Sequence, residues 1–102
     1  MSELATVSTH VLDVASGRPA AGVRVTLGTR TLTTDDNGRI ADLSGGGINP
    51  GTYRMLFEVG TYFANSAHLF ETVTFELKLA EGRHYHVPLL ISPFSCSSYR
   101  GT

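Results

Sequence analysis

The chain has 102 residues, of which 41% are hydrophobic and 17% charged, with a formal net charge of −1. A chain of this length folds as one domain, here residues 1–102, and buries only roughly 60–70% of the surface its unfolded form exposes, so a catalytic site is expected in a surface groove or between subunits. Eight basic residues scattered singly leave no electrostatic footprint for nucleic acid, and no apolar run reaches the length of a membrane span.

In chain order, Met1-Ser2-Glu3-Leu4 has neither a basic n-region nor an apolar h-region, so no secretory signal is read and a soluble, cytoplasmic protein is expected. Thr6–Asp13 reads as a strand with His10 on the face opposite Val7, Thr9 and Val11. Ser16-Gly17-Arg18-Pro19 supplies turn chemistry. Val23, Val25 and Leu27 then alternate with Arg24, Thr26 and Gly28, and Arg30–Thr34 makes a further strand. Asp35-Asp36-Asn37-Gly38 is the strongest local hairpin signal in the chain. Ser44–Gly51 is a looser loop with three successive glycines but no Gly-Lys-Ser/Thr ending, which argues against a phosphate cradle.

Tyr53, Met55, Phe57 and Val59 form the next apolar row, and Thr61–His68 is the one stretch suited to a short helix. Val73, Phe75, Leu77 and Leu79 alternate cleanly with Thr72, Thr74, Glu76 and Lys78. After a turn at Glu81-Gly82 come a strand over His84–Ser92 and a short one near the C-terminus. Cys96 is the only cysteine, so no intrachain disulfide forms, and it reads as a small half-buried thiol. Seven to eight short strands at this spacing predict an all-β, antiparallel two-sheet β-sandwich with one short helix.

His84 and His86 stand two apart on one strand, so both imidazoles share a face, opposite the apolar row Tyr85, Val87, Leu89 and Ile91. With His10 they make three histidines directed outward, whereas His68 reads as a surface residue without a task. Two chemistries suit such a set. Three neutral imidazoles could hold zinc with one position open to water. Alternatively, one imidazole could act as general base while an arginine stabilises developing negative charge. Spacing alone leaves both open, and neither a G-x-S-x-G elbow nor an H-E-x-x-H motif is present.

Four stretches carry a resemblance: Ser8-Thr9-His10-Val11-Leu12-Asp13 with Gly17-Arg18-Pro19-Ala20; Thr33-Thr34-Asp35-Asp36-Asn37-Gly38-Arg39; His84-Tyr85-His86-Val87-Pro88-Leu89-Leu90; and Ser98-Tyr99-Arg100-Gly101-Thr102. Together they resemble the transthyretin-like hydrolases that act on 5-hydroxyisourate. The first two are shared by many β-sandwich modules; the H-Y-H-V-P-L segment with the terminal Y-R-G-hydroxyl is specific. The resemblance implies catalytic roles for His10, Arg39 and His86, and substrate contacts from Tyr99, Arg100, Gly101 and Thr102, where the family ends in serine. It also implies hydrolysis without metal or organic cofactor, in a homotetramer (a dimer of dimers) whose sites lie between dimers. The rival expectations are a transthyretin-like carrier, which generally lacks the His10/His86 pair, a structural sandwich module, and a zinc hydrolase using His10, His84 and His86.

Overall fold

Period-two patterning becomes two sheets that bury their apolar rows against each other. The computed structural model describes residues 3–80 and 82–101. Its elements are β1 (Thr6–Asp13), β2 (Arg18–Pro19), β3 (Arg24–Leu27), β4 (Arg30–Thr33), β5 (Arg39–Ile40), β6 (Gly51–Phe57), α1 (Val59–Tyr62), β7 (Val73–Leu79), β8 (His84–Ser92) and β9 (Ser95–Ser98). One sheet has the order β4-β3-β6-β7 and is antiparallel throughout. The other runs β2-β1-β8-β9, with β5 beside β2 on the free edge of β1.

Between the sheets lie Val7 and Val11 of β1, Leu89 and Ile91 of β8, and Met55 and Phe57 of β6, each at most 1% exposed. Leu43, from the loop after β5, is wholly buried as well, and its amide donates to the Val7 carbonyl at 2.8 Å. Residues of that loop therefore continue the cover that β2 and β5 give to β1, and Ala5 and Ile48 exchange two backbone hydrogen bonds of 2.8 Å. The few buried polar groups are paired: Thr9 donates to the Val87 carbonyl at 2.6 Å, and Thr34 to that of Ala20 at 2.7 Å. Cys96 is a free, half-buried thiol packed against the core.

The all-β sandwich matches the expectation, with four differences. Nine strands rather than seven or eight are present among the described residues, because β2 and β5 are two-residue segments too short to carry a periodicity. The long central pairing, β1 with β8, is parallel. Asp35–Gly38 is a turn but not a hairpin, since β4 and β5 belong to different sheets and the turn carries the chain across the sandwich. The helix is Val59–Tyr62, upstream of Thr61–His68. Val59, Gly60 and Phe63 are buried, whereas residues 64–67 are all exposed; a helix this short persists only where packing supports it. Of the expected Glu81-Gly82 turn, Glu81 lies outside the described residues. No helix among the described residues is long and apolar enough to cross a membrane.

Gly38 has two independent reasons to be glycine. Its φ is +74°, and a Cβ there would stand 2.4 Å from the Val11 carbonyl oxygen on β1. Gly17 has nearly the same φ, +76°, but open space around it. Gly17→Ala should therefore cost about 1 kcal/mol from backbone conformation alone, and Gly38→Ala roughly 2–4 kcal/mol once the collision is added. Chemical denaturation of the two variants checks the order; equal losses would show that β1 yields freely at Val11.

Candidate active site

The outward face of the β1–β5–β8 sheet is where the chemistry collects. In-register pairing sets Thr6 beside His84, Ser8 beside His86, and His10 between Pro88 and Arg39. Paired residues of neighbouring strands point to the same side of a sheet, so His10, Arg39, His84 and His86 share one surface. Arg39 is planted there by the preceding turn. The Asp35 carboxylate accepts from the Asn37 and Arg39 amides, each at 2.9 Å, and the Gly38 carbonyl accepts from the Val11 amide at 2.7 Å. The Asp-Asp-Asn-Gly turn thus fastens the arginine to the strand that carries His10.

Hydroxyl groups link the histidines. His84 Nδ1 lies 2.7 Å from Thr6 Oγ1, and its Nε2 lies 2.9 Å from Ser8 Oγ. The same Ser8 oxygen is 2.8 Å from His86 Nδ1. His84 is exposed and His86 half-buried. Both ring nitrogens of His84 are thereby occupied, and among the described residues no three His, Cys, Asp or Glu side chains converge into a group able to hold a metal ion.

The chain returns to this face after β9. The Gly101 amide donates to the His86 carbonyl at 2.8 Å, and a Cβ at Gly101 would stand 2.7 Å from His86 Cδ2. Glycine here lets the backbone lie against the imidazole. A cleft of about 320 Å³ opens at this point, lined by His84, His86, Arg100 and Gly101. Arg100 rests its guanidinium over the Tyr85 ring, 4.9 Å from the centroid, in cation–π contact. It also reaches a second cleft of about 400 Å³ between β7 and β8–β9, where exposed Tyr99 lies. Among the described residues that larger cleft has no imidazole in its lining, whereas the smaller one has His84 and His86. The structure thus gathers His10, Arg39, His86 and Gly101, sets Arg100 at the border and puts Tyr99 on the far side; Thr102 lies outside the described residues.

Burial holds the His86 imidazole below its ordinary pKa, and the nearby charges of Arg39, His10 and His84 push the same way. His86 is therefore neutral at neutral pH, with Nδ1 engaged by Ser8. His68, by contrast, is raised by its hydrogen bond to the Ser66 carbonyl and by Glu71, in a setting remote from the cleft. Sequence reasoning passed over Thr6 and Ser8, although period two already places both on the face of His10.

The chain matches the family described as HIUase/Transthyretin over residues 7–101. It is 37% identical to 5-hydroxyisourate hydrolase 2 of Rhizobium meliloti, in an alignment that spans all of both chains. Among solved structures it resembles Klebsiella pneumoniae 5-hydroxyisourate hydrolase, with TM-score 0.90 and 34% identity over 100% of this chain and 97% of that one. It also resembles sea bream transthyretin in complex with thyroxine, with TM-score 0.83 and 27% identity over 94% of each chain.

Because the folded value of His86 lies beneath the ordinary 6.5, folding favours its neutral form. That contribution to stability is complete above 6.5 and is lost as pH falls through the folded value. Arg39→Gln removes one repelling cation and should raise the His86 midpoint. Following the imidazole C–H resonances against pH measures both; a midpoint above 6.5 in the parent protein contradicts this account of the site.

Proposed function

The chain belongs to the HIUase/Transthyretin family, and on that premise we propose that it hydrolyses 5-hydroxyisourate to 2-oxo-4-hydroxy-4-carboxy-5-ureidoimidazoline, a step of urate degradation. The observation that carries this reading is the grouping of His10, Arg39 and half-buried His86 on one sheet face beside a small cleft. Opening a cyclic amide demands an activated water, a partner for the developing oxyanion and a proton for the departing nitrogen. His86 suits the first task. Its Nδ1 is held by Ser8, which leaves Nε2 for water, and its lowered pKa keeps the ring unprotonated at neutral pH.

Water loses a proton to His86 Nε2 as its oxygen adds to the ring carbonyl. Arg39 holds the resulting oxyanion through its fork of donors, which matches such oxygens better than a lysine would. Collapse breaks the C–N bond, and the nitrogen takes a proton from His86 or from His10, leaving an open ring and a carboxylic acid that releases its proton to solvent as the carboxylate. Arg100 and Gly101, which line the cleft, are assigned to the substrate together with Thr102, whereas Tyr99 lies in the larger cleft and would not reach a substrate held beside His86 in the same protomer. A protomer offers this cleft only a few walls, and charges cover little of its surface. A homotetramer, built as a dimer of dimers with its sites between dimers, would supply the missing enclosure.

The direct assay generates 5-hydroxyisourate from urate and follows its ultraviolet decay. Acceleration above the spontaneous rate is expected, and its absence in a tetrameric sample would defeat the hydrolase reading. His10→Ala, Arg39→Ala and His86→Ala should each lower turnover by roughly 10²–10⁴-fold while circular dichroism stays unchanged. Sedimentation should give a tetramer; a monomer with full activity would remove the need for shared sites.

A further inference from the structure

Beyond these groups, the same face carries a chain of hydrogen bonds with a direction. It runs from Thr6 Oγ1 to His84 Nδ1 over 2.7 Å, from His84 Nε2 to Ser8 Oγ over 2.9 Å, and from Ser8 Oγ to His86 Nδ1 over 2.8 Å. A neutral imidazole has one N–H and one acceptor nitrogen. If His86 is to receive a proton at Nε2, its own proton must sit on Nδ1 and point at Ser8. The Ser8 hydroxyl then has its single proton free to donate to His84 Nε2. That in turn places the His84 proton on Nδ1, donating to Thr6. This arrangement of protons satisfies every bond, spends the Ser8 proton within the chain and leaves His86 Nε2 as a base.

We propose that His84 is a positioning residue which, through the Ser8 hydroxyl, fixes the tautomer of His86 and takes up its positive charge during turnover. The inference rests on the reading of His86 as the base. When a water proton reaches His86 Nε2, the Nδ1 proton passes to Ser8 Oγ as the Ser8 proton passes to His84 Nε2. His86 is then neutral again, and His84 is an imidazolium whose two N–H groups are accepted by Ser8 and Thr6. When the departing nitrogen takes the His86 Nε2 proton, both relay protons return. No proton is created or lost, and every ring N–H within the chain keeps a hydroxyl acceptor in both states.

Charge placement gives the transfer its sense. His86 faces Arg39 on β5 and His10 on β1, and Arg100 borders its cleft, with no carboxylate side chain among the described lining residues. A cation on half-buried His86 is repelled from several sides, whereas exposed His84 can be hydrated. A hydroxyl bridging two imidazoles could serve the fold alone, so the test needs readouts that packing does not move.

Ser8→Ala and His84→Gln should each lower kcat by roughly 10–100-fold with little change in KM, less than removal of the base itself. The double variant should be no worse than the poorer single one, because the two residues act in series. At constant pH, added imidazole buffer should speed the Ser8→Ala variant and leave the parent unchanged. Nitrogen-15 shifts, which need no turnover, should show both neutral rings carrying the proton on Nδ1 in the parent, with His86 released to a tautomer mixture in Ser8→Ala. A parent His86 protonated on Nε2, additive losses, or variants as active as the parent would each overturn the relay and leave the hydrolase reading standing. A folded parent that fails to accelerate substrate decay would instead sink the hydrolase reading, and the catalytic use of the relay with it.

Discussion

The parallel pairing of β1 with β8 is the constraint on which the rest of the molecule depends. Eight in-register residue pairs run from Thr6 with His84 to Asp13 with Ile91. On the inner side they align Val7, Val11, Leu89 and Ile91 in the core. On the outer side they align Thr6 and Ser8 with His84 and His86. A slip of one residue would turn imidazoles toward the core and valines toward water, so burial on one face enforces chemistry on the other. The hydrophobic effect sets the register, and the register sets the site.

The remaining elements hold that pairing in place and bring further groups to it. Both turns that flank the free edge of β1 use an aspartate to gather backbone amides: Asp13 accepts from Ala15 and Ser16, and Asp35 from Asn37 and Arg39. Burial opposes ionisation of Asp13, yet hydrogen bonds from Ser16, Tyr62 and Ala15 together hold its pKa below the ordinary value. The Tyr62 bond to that carboxylate also ties the one-turn helix to the end of β1. At the other border, the Gly101 backbone lies against the His86 ring. Three chain segments therefore meet on one strand pair, the Asp35–Gly38 turn and Gly101 through their backbones and the helix through the Tyr62 side chain.

Placing a site on a sheet face gives positional accuracy at the expense of enclosure. Strand backbones locate imidazoles well, but a single sandwich gives this face few walls, and His84 is exposed. Catalysis by preorganised dipoles gains strength when water is excluded. The proposed assembly would reconcile the two demands by closing the face with a second copy.

Alternation and turn chemistry in the sequence determined the sandwich, the outward direction of His10, His84 and His86, and the inward row from Tyr85 to Ile91, because these depend on period two and on nearest neighbours alone. The family resemblance of the H-Y-H-V-P-L and Y-R-G segments pointed to Arg39 and the C-terminal residues. Tertiary structure decided what local pattern cannot encode. It made the β1–β8 pairing parallel, turned the Asn37-Gly38 signal into a crossing between sheets, and moved the helix to where Val59 and Phe63 could be buried. It also joined Thr6, Ser8, His84 and His86 into one hydrogen-bonded chain from positions 76 to 78 residues apart. Such contacts follow from which strands become neighbours, a choice made by the burial of the whole core.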